Sequence, residues 1–323
     1  MKKIKIVKYN FRRFGFKYIY YDALYHFFNR IHFLFKKPYN LKGSPKIIDV
    51  NNYKMYVNKN GAGIHKDLLI NHTREVNSTK TMTEWIKKGD TVLDLGANIG
   101  YYTVLFSKLV GNNGKVYAIE PTSDNLEYLE KNIKLNNLKN VELTKAAIGD
   151  TDGKLNIYIS DNSGNYNTPN YNGSNKKETV KSYKLDTFFK DKVKPKILKM
   201  DIEGYECEVF NGADKMLNDI EKIFVELHFC LVDSDKMKKT LILLKKKKFK
   251  LSKIVLEWQR NIGDNTILGN FCDYLYKKRS VDVIYDNITI DDLLDSDLLD
   301  SHLAVEAFFE KENKIKMLEL KNE

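Results

Sequence analysis

The stretch Val92-Leu93-Asp94-Leu95-Gly96-Ala97-Asn98-Ile99-Gly100 constrains the fold of this chain more than any other feature. It reads as an apolar strand that breaks at a glycine turn and continues as a helix. A second strand follows the helical run, Lys115-Val116-Tyr117-Ala118-Ile119-Glu120, and ends in an acid. In an open α/β sheet, glycines at such a turn let the backbone approach a ligand closely. An acid closing the next strand can accept hydrogen bonds from both hydroxyls of a ribose. An adenosine-bearing ligand is therefore expected at the carboxyl ends of these strands.

The turn also says which ligand. A dinucleotide turn reads G-x-G-x-x-G and wraps a pyrophosphate with amides and a helix N-terminus. Here Asn98 stands where the second glycine would be, between Gly96 and Gly100. Asp94 would repel a phosphate but suits the ammonium of an amino acid, and Glu120 suits a ribose. A methionine-like zwitterion joined to adenosine satisfies both, so S-adenosylmethionine is the expected cofactor. Taken alone, Gly96 and Gly100 could simply be tight-turn residues; the two acids at strand ends give the turn its chemical reading.

A chain of 323 residues suffices for one large core with additions. The formal net charge is +11, which raises the question of nucleic acid or membrane. The excess is concentrated at the start, where basic residues from Lys2 to Lys37 face Asp22 alone. Cys207, Cys230 and Cys272 form no C-x-x-C pair, so neither a disulfide framework nor a metal site is expected. No apolar run is long enough to span a bilayer, and the basic opening lacks the uninterrupted core of a signal peptide. A cytoplasmic protein is expected, with peripheral contact at the inner face of a membrane as an option.

Residues 1–45 read as a basic, aromatic helical extension, with Tyr21, Leu24, Phe28, Ile31 and Phe35 on one helix face. That face can lie on an anionic membrane or pack against protein. Residues 46–278 read as one domain that opens with a short strand-like lead-in from Lys46 to Val57 and, from about Gly89 to Lys278, alternates strands and helices in the manner of a doubly wound sheet. Seven strands are expected, near Thr91–Leu95, Lys115–Glu120, Val141–Lys145, Ile197–Asp201, Ile223–His228, Lys250–Leu256 and Phe271–Tyr276. A helix is expected from Asp124, with Glu127 in a capping-box position. Leu155–Ile159 and Thr179–Tyr183 look paired around a polar tract, Ser160–Lys177, that either merely connects them or shapes an acceptor pocket. Residues 279–323 turn acidic and read as a helical appendage.

The candidate chemistry lies at the ends of the later strands. Asp201 closes the fourth strand, in Lys199-Met200-Asp201-Ile202-Glu203-Gly204-Tyr205-Glu206. There a carboxylate can take a hydroxyl proton, or cap the following helix instead. Glu203 and Glu206 have the same alternative, because acids favour helix N-termini. Glu226 and His228 alternate at the end of the fifth strand, and His228 is a candidate general base. No Asn-Pro-Pro-Tyr type of motif follows the fourth strand, so an oxygen is the expected acceptor atom.

Together, Asp94 to Thr103, Glu120-Pro121, Ala146-Ala147-Ile148-Gly149, Lys199 to Glu206 and Glu226-Leu227-His228 resemble the FkbM-type methyltransferases over about residues 46–278. The resemblance implies a class I, Rossmann-like fold with S-adenosylmethionine bound by Asp94, Gly96, Asn98, Gly100 and Glu120, and with Ala147 beside the adenine. It also implies that Arg74-Glu75 and Thr79 cover the cofactor, and that the acceptor is a hydroxyl, often on a sugar of a glycan or glycolipid. Asp201, Glu206 and His228 are the expected catalytic residues. Two rival expectations are an RNA methyltransferase, prompted by the net charge but distant in sequence from the motifs, and an inactive cofactor-fold protein bound at a membrane.

Overall fold

The computed structural model describes residues 46–58, 63–159, 167–169, 176–256, 283–286, 288–296, 298–301 and 303–312. It also describes six helical positions between Tyr20 and Ile31. The expected N-terminal extension otherwise lies outside the described residues, as does the strand expected near Phe271–Tyr276. Strands β1 (Lys46–Val50) and β2 (Tyr53–Val57) form an antiparallel hairpin. Its two turn residues, Asn51 and Asn52, have φ of 45° and 69°. A two-residue hairpin needs this left-handed pair, and asparagine tolerates it.

Next come β3 (Thr91–Leu95), β4 (Lys115–Ile119), β5 (Val141–Thr144), β6 (Ala147–Gly149), β7 (Gly153–Ile159), β8 (Asn167–Thr168) and β9 (Lys177–Lys184). The remaining strands are β10 (Ile197–Met200), β11 (Lys222–His228), β12 (Phe249–Leu256), β13 (Val283–Asp286) and β14 (Ala304–Lys311). The main sheet has the order β13-β12-β14-β11-β10-β3-β4-β5. It is parallel from β5 through β11 and antiparallel beyond. The fold is the Rossmann-like α/β sheet expected of a class I methyltransferase.

The chain builds β3, β4 and β5 outward in one direction and then returns to lay β10 on the other flank of β3. That reversal opens a crevice at the carboxyl ends of β3 and β10, where ligands bind in such sheets. The central strands carry apolar residues buried on both faces, among them Val92, Leu93, Val116, Leu198 and Val225. Burial of this kind is what a covered parallel sheet requires. A second sheet, β6-β9-β7-β8, contains the expected antiparallel pair β7 and β9.

Three local expectations need correction. Among the described residues the main sheet has eight strands, where seven were expected. The segment read as an acidic helical appendage instead supplies β14, which is inserted between β11 and β12. Its helical part is short, Ile290–Leu294, and is capped reciprocally by Thr289 and Asp292. Val305, Ala307, Phe308 and Phe309 are all buried in β14, and Phe308 stacks on Phe224 with ring centroids 4.7 Å apart. Burying side chains of this size stabilises by roughly 1.5–3 kcal/mol each, so β14 belongs to the core. Finally, the helix after β4 spans Ser123–Leu135, and Glu127 pairs with Lys131 rather than closing a capping box.

Candidate active site

A cleft with an empty volume of about 630 Å³, part of it open to solvent, lies over the carboxyl ends of β3, β4 and β10. Leu95, Gly96 and Asn98 come from the glycine turn, Ile119 and Glu120 from the end of β4, and Asp201, Glu203 and Tyr205 from the segment after β10. Ala147 and Ile157 bring the second sheet to its wall, and Pro169 brings the polar tract. Most of that tract lies outside the described residues.

Gly96 makes the crevice geometrically feasible. Its φ is +70°, and a Cβ built there would lie 1.8 Å from the Asp201 carbonyl oxygen. The Asp201 N–H donates to the Leu95 carbonyl at 3.2 Å, so the two strand ends close directly on the glycine. Asn98 also has a positive φ, 52°, and its N–H donates to Glu120 Oε2 at 2.9 Å. The other carboxylate oxygen, Oε1, accepts from the Thr122 N–H at 3.0 Å and its hydroxyl at 2.7 Å, and from Asn125. Burial pushes the Glu120 carboxyl up, and these donors oppose the shift. Glu120 therefore ties the glycine turn to the start of the next helix while it faces the cleft.

Asp94 does not reach the cleft wall, contrary to the expectation that it meets an ammonium group of the cofactor. It is wholly buried and accepts from the Thr103 hydroxyl at 2.6 Å. The ammonium it meets is that of Lys199, 3.2 Å from Oδ1. Lys199 lies directly opposite on β10 and also donates to the Gly96 carbonyl at 3.0 Å. Gly100 likewise stands away from the wall, where it starts the helix Tyr101–Val110 against Leu129. Glu75 pairs with Arg74 and accepts from the Tyr102 hydroxyl at 2.7 Å. Thr79 and Tyr101 hold the Arg74 backbone. The segment is thus anchored to the helix behind the crevice rather than lining it.

Asp201 does reach the cleft. Burial would raise its pKa, but Lys199, His228 and Arg74 hold it below the ordinary carboxylate value. Among the described residues its Oδ1 has no hydrogen-bond partner, and it is buried. The neighbouring Glu226 is pushed well above the usual range, first by burial and then by the charge of Asp201, and it hydrogen-bonds to Asp201.

His228, the expected general base, has both ring nitrogens facing carboxyl groups. Nδ1 is 2.9 Å from Glu206 Oε1, Nε2 is 3.2 Å from Glu203 Oε2, and Glu226 lies 3.9 Å from Nε2. Burial alone would lower the imidazole pKa, but Glu206, Glu203 and Glu226 raise it well above 6.5. Glu206 is fully buried and also accepts the Gly204 N–H at 2.9 Å. It positions His228 and does not touch the cleft.

Sequence reasoning passed over Lys199 and Glu226 as site groups and singled out Arg74 only as part of a covering segment. The signal for Lys199 was its place in a buried strand, since a lysine there needs an anion. Nor did the sequence suggest a metal. In the structure one donor atom each from Asp201, Glu203 and His228 lies within 4.8 Å of the others. Among the described residues no helix is long and apolar enough to cross a membrane.

A family model described as "Methyltransferase FkbM domain" matches residues 94–251. The hexuronic acid methyltransferase AglP of Haloferax volcanii is 28% identical over 160 residues, 46% of this chain and 60% of that protein. A probable cobalt-precorrin-6B C(15)-methyltransferase (decarboxylating) of Saccharolobus solfataricus is 44% identical over 61 residues, 19% of this chain. The chain spans 60% and 31%, respectively, of the length of these two curated relatives. The crystal structure of methyltransferase FkbM from Methylobacillus flagellatus KT is similar at 18% identity and a TM-score of 0.32, over 43% of this chain and 32% of that one.

Proposed function

Residues 94–251 form a methyltransferase FkbM domain, and from that premise we propose that this chain is an S-adenosylmethionine-dependent O-methyltransferase acting on a sugar hydroxyl. The acceptor belongs to a glycan, a glycolipid or another glycoconjugate. A relative that methylates a hexuronic acid, by its name, supports the sugar. Asp201 carries the reading: it is a carboxyl group on the cleft wall that Lys199, His228 and Arg74 hold below the ordinary carboxylate value, and among the described residues its Oδ1 lacks a donor.

The cleft suits this cofactor. Glu120 Oε2 accepts only the Asn98 N–H among the contacts seen, and a carboxylate oxygen has room for a second donor such as a ribose hydroxyl. Ala147, Ile148 and Ile157 line the cleft with apolar side chains of the kind an adenine packs against. S-adenosylmethionine supplies a methyl group activated by a sulfonium centre. The protein aligns the acceptor and removes its proton. Asp201 accepts the hydroxyl proton as the acceptor oxygen is alkylated, a contribution of roughly 10²- to 10⁴-fold. Lys199 and Arg74 keep Asp201 ionised for that role, and His228, Glu203 and Glu206 fix the loop that carries it.

The test is calorimetric binding of S-adenosylmethionine and S-adenosylhomocysteine to the wild type and to Glu120→Ala, followed by mass spectrometry of methyl transfer to uronic acids and neutral hexosides. Micromolar binding that Glu120→Ala weakens at least tenfold, with one sugar class methylated, supports the reading. Absence of cofactor binding by the wild type would overturn it.

A further inference from the structure

We propose that Asp201, Glu203 and His228 form a binding site for a divalent cation of the Mn²⁺ type beside the cleft. Three features of the geometry point to it. First, the three side chains come from two different strand ends yet bring one donor atom each within 4.8 Å of the others. Two ligands about 2.1 Å from one metal at right angles stand about 3 Å apart, and His228 Nε2 is 3.2 Å from Glu203 Oε2.

Second, the imidazole is already aimed. Glu206 takes Nδ1 at 2.9 Å and is itself fixed by the Gly204 N–H, which leaves Nε2 directed at Glu203. A carboxylate behind the far nitrogen is the arrangement that orients metal-ligating histidines and raises their basicity. Third, the site is short of positive partners. Asp201 Oδ1 is buried without a donor, and Glu203, Glu206 and Glu226 all converge on one histidine. Lys199 and Arg74 act on Asp201 through their charge alone and make their ion pairs with Asp94 and with Glu75 and Asp67.

Two carboxylates and one imidazole favour Mn²⁺ or Fe²⁺, between the oxygen preference of Mg²⁺ and the nitrogen preference of Zn²⁺. Asp201 and Glu203 both line the cleft, so the remaining coordination positions face an acceptor. There the cation would take hydroxyl or carboxylate oxygens of the sugar and lower the pKa of a bound hydroxyl, which leaves less for Asp201 to do. This last role rests on the transferase reading; the binding site itself does not.

The probe is Mn²⁺ alone, added to the full chelator-treated chain and followed by electron paramagnetic resonance of the free ion. One Mn²⁺ per chain is expected, with affinity reduced at least tenfold in Glu203→Gln and in His228→Asn, and roughly 10- to 100-fold in Glu206→Gln. S-adenosylhomocysteine binding, measured on the same samples, reports whether each variant keeps its fold and separates failure of the metal from failure of the cofactor. Should a variant not fold, electron spin echo modulation from an imidazole nitrogen on Mn²⁺ bound to the wild type decides the matter. No stoichiometric Mn²⁺ binding, no nitrogen modulation, or affinity unchanged in both ligand variants would overturn the proposal and leave His228 Nε2 with a proton.

Discussion

Lys199 and Asp94 are register partners on adjacent parallel strands, and their charges meet 3.2 Å apart with both side chains almost completely buried. The pair sits directly beneath the glycine turn, and Lys199 reaches on to the Gly96 carbonyl. Removing one partner strands the other charge in a low-dielectric interior, which costs about 3–5 kcal/mol. Lys199→Met is therefore expected to lower the urea midpoint by that equivalent. Adding Asp94→Leu should recover much of the loss, because an apolar pair no longer contains an orphaned charge.

Gly96 and Gly89 offer a controlled comparison. Both have positive φ, +70° and +89°, but a Cβ at Gly89 meets nothing within 4 Å while one at Gly96 strikes the Asp201 backbone. Gly89→Ala should cost only the left-handed penalty of roughly 1–2 kcal/mol. Gly96→Ala should force β3 and β10 apart and abolish S-adenosylhomocysteine binding, with a much larger loss of stability. Equal effects in thermal melts would show that the close approach of the two strands does not matter.

Asp201→Asn tests the proton acceptor. The amide has nearly the same shape but cannot take a proton at neutral pH. Single-turnover methyl transfer should slow by roughly 10²- to 10⁴-fold, while S-adenosylhomocysteine affinity stays within a few-fold. A parallel loss of both would assign Asp201 to cofactor binding or to folding.

His65 provides a pH prediction distant from the cleft. Its ring is buried beside Tyr128, accepts the Asn58 N–H at 3.1 Å, and has its pKa lowered by burial to about 4. The unfolded chain protonates this residue near pH 6.5, so between about 4 and 6.5 the unfolded state binds more protons. The stabilising contribution is complete above pH 6.5 and is lost as the pH falls toward 4. His65→Phe should flatten that part of the stability profile, as read by urea unfolding at successive pH values.

Much of the frame was legible locally. The glycine turn, the acid after β4 and the parallel strands β3, β4, β10 and β11 follow from residues near one another in sequence, because burial on both faces writes a continuous apolar run. Strand β14 was obscured by the acidic residues that precede it and by Glu306, which is buried in the strand and bonded to Ser78. A polar residue satisfied by a distant partner looks like a surface residue until the partner is known.

The sequence by itself determined the class of sheet and the location of the crevice, and it picked out Gly96, Asn98, Glu120, Ala147 and Asp201, all of which line the cleft. Only the tertiary structure decided the charges. Asp94 is paired with a lysine from β10, and both ring nitrogens of His228 face glutamate side chains. Protonation and ion pairing depend on burial and on neighbours within a few ångströms. Those neighbours come from strands separated by long stretches of chain, and the fold alone brings them together.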